Sequence, residues 1–228
     1  MADRRFTTET FGFLAALAAN NQREWFEAHR QDYEAAVRTP ALAFIDAMAG
    51  ELTMISPHFP AVAKKVGGSL IRIHRDTRFA RDKRPYKTNI GIHFRHEVGR
   101  DVHAPGYYLH IEPGECFAGV GIWRPDADAL AKIRDAIVAN GKTWRAARDD
   151  KAFRKYFPLG GEALNRPPRG YAKDHPLIDD LKRKDFIAIA AFDDKSVTSK
   201  RFPASVAEYF NRATPYMRFL CKALELRF

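Results

Sequence analysis

The apolar residues of this chain change their spacing along the sequence, and that change limits the possible folds more than any other feature. Up to Ile55 they recur every three or four residues, the period of an amphipathic helix. Phe11, Leu14, Ala15 and Ala18 form one face, with Thr8 or Thr10 as the N-cap, and Asn20-Asn21 breaks the pattern. Phe26, His29, Tyr33 and Val37 form a second face. Pro40 fits the first turn of a third helix that carries Phe44, Met48, Leu52 and Ile55.

From Lys64 the period becomes two. Residues 69–75, 89–96, 106–112 and 116–123 each alternate, and Ala104-Pro-Gly106 and Pro113-Gly-Glu115 supply turns for an antiparallel meander. Helical spacing returns after Pro125-Asp126 and runs to about Val138, before Asn140-Gly141. Residues 144–180 are mixed, His175-Pro176 opens a short helix, and residues 185–192 form a final strand. Val206, Phe210, Ala213, Met217, Leu220 and Leu224 then mark a long C-terminal amphipathic helix from Pro203, which Pro215 kinks or divides. The expected fold class is α+β in a single domain over residues 1–228: N-terminal helices, a central, largely antiparallel sheet, and the long C-terminal helix.

At 228 residues, 46% of them hydrophobic, the chain can bury a core without covalent staples. The two cysteines, Cys116 and Cys221, lie on distant segments and argue against a disulfide framework. No run approaches the roughly 18 apolar residues of a membrane span, and the N-terminal stretch leads into an amphipathic segment, not an apolar signal core. A cytoplasmic protein without a membrane partner is expected.

The net charge of +10 is unevenly distributed. Residues 1–63 hold 5 basic and 8 acidic side chains, whereas residues 64–100 hold 11 basic and 3 acidic ones. A local surplus of this kind points to an anion-binding patch. Within it, Arg72, Arg75, Arg78, Arg81, Arg84 and Lys87 recur every third position, a period of neither strand nor helix. A strand therefore ends near Arg75, the chain loops through Asp82 and Pro85, and a new strand begins near Thr88. Arginine forks grip phosphate or carboxylate through paired hydrogen bonds. Arg72, Arg75, Arg78, Lys83 and Lys87 are the expected anion ligands, with Asp76 as a proton-transfer group. Asp76 and Asp82 each either orient an arginine or act as a general base or metal ligand. An exposed charged hairpin connection held by ion pairs is the alternative for the whole segment. Tyr86 and Phe79 either stack on a planar ligand or pack.

The pattern Arg72-x-x-Arg75-Asp76-x-Arg78-Phe79-x-x-x-Lys83-x-Pro85-Tyr86-Lys87-Thr88 resembles the signature of the family catalogued as domain of unknown function 2461, at every fixed position. The resemblance extends through Asn21-Gln-Arg-Glu-Trp-Phe26, Gly106-Tyr-Tyr108, Trp123-x-Pro125 and Arg169-Gly-Tyr171. It implies a mostly bacterial family of about this length and names no reaction.

Weaker constellations surround this segment. Tyr108 and His110 share a strand face, and Gly119 and Gly121 leave room nearby for a ligand or an aromatic ring. Tyr108, His110 and Trp123 are thus candidate ligand contacts, with cross-strand packing as the alternative. His93 and His96 point to opposite faces of a strand, and His103 and His110 lack obvious carboxylate or thiolate partners, so no metal site or cofactor is expected. Residues 166–176 form a second basic, aromatic segment. Either it is a proline-held loop capping a helix, or Arg169, Tyr171 and His175 close over the first to make a cleft, His175 then being the best general acid or base. A small anionic ligand, either bound only or turned over as an enzyme's substrate, is the leading partner. Nucleic acid, permitted by the pI near 9.7, and an acidic protein partner are the alternatives.

Overall fold

The computed structural model describes residues 5–99 and 104–228, so His103 lies outside the described residues. Helix α1 (Thr8–Ala19) starts at Thr7, whose hydroxyl accepts from the Glu9 amide, and buries Thr10, Phe13, Leu14 and Leu17. The buried face is rotated from the expected one because Phe13 and Leu17 offer more apolar area than Ala15 and Ala18. The next helical stretch is broken at His29 into α2 (Arg23–Ala28) and α3 (Arg30–Tyr33). A π turn at Glu34–Arg38 leads on into α4 (Thr39–Ile55). Phe26, Tyr33, Val37, Phe44, Met48 and Leu52 nonetheless all reach the core.

The meander forms as expected. Strands β1 (Ile90–Arg95), β2 (Gly106–Glu112) and β3 (Glu115–Ile122) pair antiparallel in sequence order. Helices α5 (Ala127–Ala139), α6 (Gly141–Arg148) and α7 (Lys151–Tyr156) follow, Asp126 capping the first through its bond from the Ala129 amide. After the two-residue strand β4 (Leu159–Gly160) and the short α8 (Ile178–Leu181), strand β5 (Phe186–Phe192) inserts beside β3. The sheet order is β1-β2-β3-β5-β4, antiparallel throughout. Gly121, with φ of +111°, is needed where β3 meets β5: a Cβ there would strike the Phe186 carbonyl.

Residues 69–75 do not form the expected strand. Leu70 alone bridges Ile92, after which the chain leaves the sheet edge and pairs with its own return. At the C-terminus, α9 (Asp194–Thr198) precedes α10 (Phe202–Arg212) and α11 (Thr214–Ala223), so the expected long helix is divided at Ala213. Pro215, lacking an N–H to donate, begins a helix instead of continuing one.

The two sheet faces differ. One carries the buried side chains of Ile92, Phe94, Leu109, Ile111 and Val120, and Phe210 of α10 packs on it against Phe94 and Tyr107 at ring distances of 6.2 and 4.7 Å. The other presents His93, Tyr108, His110, Glu112, Phe117 and Ile189, each only partly covered. Among the described residues, no helix is long and apolar enough to cross a membrane.

Candidate functional site

The basic segment folds as a hairpin beyond the β1 edge. The Arg75 amide donates to the Pro85 carbonyl and the Lys87 amide to the Ile73 carbonyl, both at 2.8 Å, with His74 opposite Tyr86. Asn21 anchors its base: its side-chain oxygen accepts from the Tyr86 amide and its NH2 donates to the Tyr86 carbonyl, both at 3.0 Å. The Tyr86 ring is 3% exposed and stacks on Phe26 at 4.1 Å, so it packs in the core and is not presented to a ligand. Lys87 turns inward too, its Nζ donating to the Arg72 and His74 carbonyls at 2.8 Å. Burial, reinforced by Arg72 and Arg75, lowers its pKa.

At the tip the aspartates are occupied. Asp76 accepts from the Arg78 guanidinium at 2.7 and 3.0 Å and from the Arg78 amide at 3.2 Å. Asp82 repeats the arrangement with Arg84 and also accepts from Arg75 at 2.8 Å. Both are two-residue latches of the kind aspartate makes in turns. The Arg78 hydrogen bonds hold Asp76 below the usual carboxylate range, and those from Arg84, with Arg75, hold Asp82 still lower. A carboxylate so held is a weak base at neutral pH, so Asp76 serves the hairpin's shape better than proton transfer. Lys83 Nζ donates to the Thr77 carbonyl at 3.0 Å. Among the described residues, the Arg72 and Arg81 side chains make no hydrogen bond or ion pair, and Phe79 at the turn is 95% exposed.

The second basic segment goes elsewhere. Tyr171 donates its hydroxyl to Asp135 of α5 at 2.8 Å, His175 Nδ1 accepts from the Leu177 amide at 3.1 Å, and Arg169 is exposed. This segment connects β4 to β5, at the sheet edge opposite β1. No hydrogen bond, ion pair or ring contact joins it to the hairpin among the described residues, so the two do not form one cleft. Trp123, 65% exposed, lies at the end of β3 with the Arg124 guanidinium 4.8 Å above its ring.

Tyr108 and His110 do come together, and with them the carboxylate that the sequence reading overlooked. His110 Nε2 is 3.2 Å from Glu112 Oε2, and Glu112 in turn accepts from the Thr88 hydroxyl at 2.5 Å. Tyr108 Oη and Asn89 Nδ2 each lie 3.3 Å from His110 Nδ1. The His110 ring stacks on Phe117 at 4.7 Å and 4°. The spacing Tyr108-x-His110-x-Glu112, three polar groups on one strand face, was the available signal. His93, on the same face, is pushed down to about 4 by burial and by Arg95. His96 is instead buried against Phe59, its Nε2 2.9 Å from the Arg227 carbonyl. Among the described residues, no cluster of three or more His, Cys, Asp or Glu could hold a metal ion.

A family model described as conserved hypothetical protein (DUF2461) matches residues 9–219. Comparison with curated proteins and with solved structures gives no match. The match spans most of the chain, which therefore belongs to that family.

Proposed function

We propose that, in this DUF2461 family member, the basic hairpin docks an extended phosphate-bearing polyanion, for which single-stranded nucleic acid has the best-fitting chemistry. The observation that carries this reading is the outward display of cations around a 95% exposed Phe79. A small anion is best held by donors converging in a pocket. Here the Arg78 and Arg84 side chains are 77% and 57% exposed and already paired with aspartates. An extended polyanion can reach separated cations such as Arg72 and Arg81, and an unpaired base can stack on an exposed ring.

Fluorescence anisotropy with a labelled single-stranded oligonucleotide tests the proposal. Affinity should fall steeply with salt. Replacing Arg72 and Arg81 together by alanine should reduce the log–log salt slope by about 1.4, two contacts at roughly 0.7 each. Phe79→Ala should weaken binding by about 1–3 kcal/mol while leaving the slope in place. Absence of binding at about 50 mM salt would refute the reading. Equal binding to polyglutamate would reassign the hairpin to an acidic protein.

A further inference from the structure

The partly open sheet face carries a second constellation, one that the hairpin's chemistry does not use. His110 contacts Glu112 through Nε2, so with the carboxylate ionised the ring keeps its proton on Nε2 and presents a lone pair at Nδ1. Thr88 holds the other carboxylate oxygen and so orients the pair. Two donors, Tyr108 Oη and Asn89 Nδ2, stand at 3.3 Å from that single lone pair. One lone pair cannot serve both well, and both distances are long for a hydrogen bond. An arriving ligand can therefore engage Asn89 and leave Tyr108 to bond Nδ1. Hydroxyl, imidazole and carboxylate then stand in the order in which a base activates a hydroxyl and a third group orients the base.

The surroundings leave space beside the Tyr108 ring, where a Cβ on Gly119 would stand 3.7 Å from Tyr108 Cβ and 3.9 Å from its Cδ1. Tyr108 pairs across the sheet with Gly119, and Gly119 with Ile189, so one position beside the phenol has no side chain. Phe117 and Ile189 flank that gap. On the other side, a Cβ on Gly91 would stand 2.9 Å from Tyr108 Oη, so glycine there leaves the hydroxyl its position. The His110 and Glu112 side chains are 14% and 29% exposed, sheltered yet reachable.

We propose that Tyr108, His110 and Glu112 form a proton relay that accepts the hydroxyl proton of a small planar phenol or enol bound over Gly119. The ligand O–H proton passes to the Tyr108 oxygen as the proton of Tyr108 passes to His110 Nδ1. The imidazolium is retained against the Glu112 carboxylate, and the ligand is left as an oxyanion to which Asn89 Nδ2 donates. No electrons are transferred and no co-reactant is consumed. Burial raises the Tyr108 pKa, in keeping with a resting neutral phenol that passes protons on and not a standing phenolate.

The probe is 4-nitrophenol, whose phenolate absorbs in the visible, titrated with the full chain at a pH where the free probe is mostly protonated. The phenolate band should grow and saturate with protein. Tyr108→Phe should abolish it, and His110→Gln or Glu112→Gln should reduce its amplitude while circular dichroism stays unchanged. If Tyr108→Phe fails to fold, His110→Gln decides. A band absent from the wild type, or undiminished in these variants, overturns the relay. The double change of Arg72 and Arg81 to alanine should leave the band intact, so this inference and the hairpin reading fail separately.

Discussion

Replacing His93 by glutamine should make the protein more tolerant of acid. His93 lies on β1 between Ile92 and Phe94, its ring edge-on to Tyr108 at 6.1 Å, and Arg95 Nε donates to its Nδ1 at 3.1 Å. The proton of the neutral ring therefore sits on Nε2. Protonating Nδ1 would bury a charge and set N–H against N–H. Burial first, then the Arg95 charge, push the His93 pKa from the ordinary 6.5 down to about 4. Because the folded value is the lower one, the unfolded chain binds the proton first on acidification. Stability contributed by neutral His93 is thus complete above about pH 6.5 and is lost as pH falls through that value toward about 4. The gap corresponds to about 3 kcal/mol in total, of which about 2 kcal/mol is gone by about pH 5. Urea unfolding of the wild type and of His93→Gln, each at about pH 8 and pH 5, isolates this contribution, since other titrating groups cancel in the difference. The wild type should lose about 2 kcal/mol more than the variant across that interval. Equal losses would show that His93 is not held neutral by its surroundings.

Asn21→Ala removes both partners of the Tyr86 backbone and should cost about 1–3 kcal/mol, with faster amide exchange at Arg75 and Lys87 as the hairpin base frays. Gly121→Ala combines a disfavoured backbone angle with a collision against the Phe186 carbonyl; a loss of about 3 kcal/mol or more is expected, read as a lowered melting temperature. Burial pushes the thiols of Cys116 and Cys221 up to about 11 and about 12, so an aromatic disulfide reagent near neutral pH should label them only as the chain unfolds. Rapid labelling of the folded protein would contradict the burial of both.

Much of the candidate site could be read locally. The hairpin turn was legible from Asp82 and Pro85, and even its latches were written as Asp76-x-Arg78 and Asp82-x-Arg84, a spacing that lets each aspartate bond its own second neighbour. Tyr108, His110 and Glu112 were equally accessible, because strand alternation is a property of three adjacent residues. Tyr86 was not: in an alternating segment either face can be the buried one, and Phe26, which stacks on it, lies 60 residues away in the chain.

The sequence alone determined the N-terminal helical block, the three strands of the antiparallel meander, the interruption that Pro215 imposes on the C-terminal helical segment and the concentration of charge between residues 64 and 100. All of these rest on spacing, backbone restriction or composition, which act over a few residues. Only the tertiary structure decided that β5 inserts beside β3, which carries residues 166–176 to the edge opposite the hairpin. It also decided that the β1–β2 register sets Gly91 opposite His110, a pairing that brings Asn89 and Thr88 to His110 and Glu112. Strand order and register follow from which faces bury together across the whole chain, a summed preference that no single segment carries.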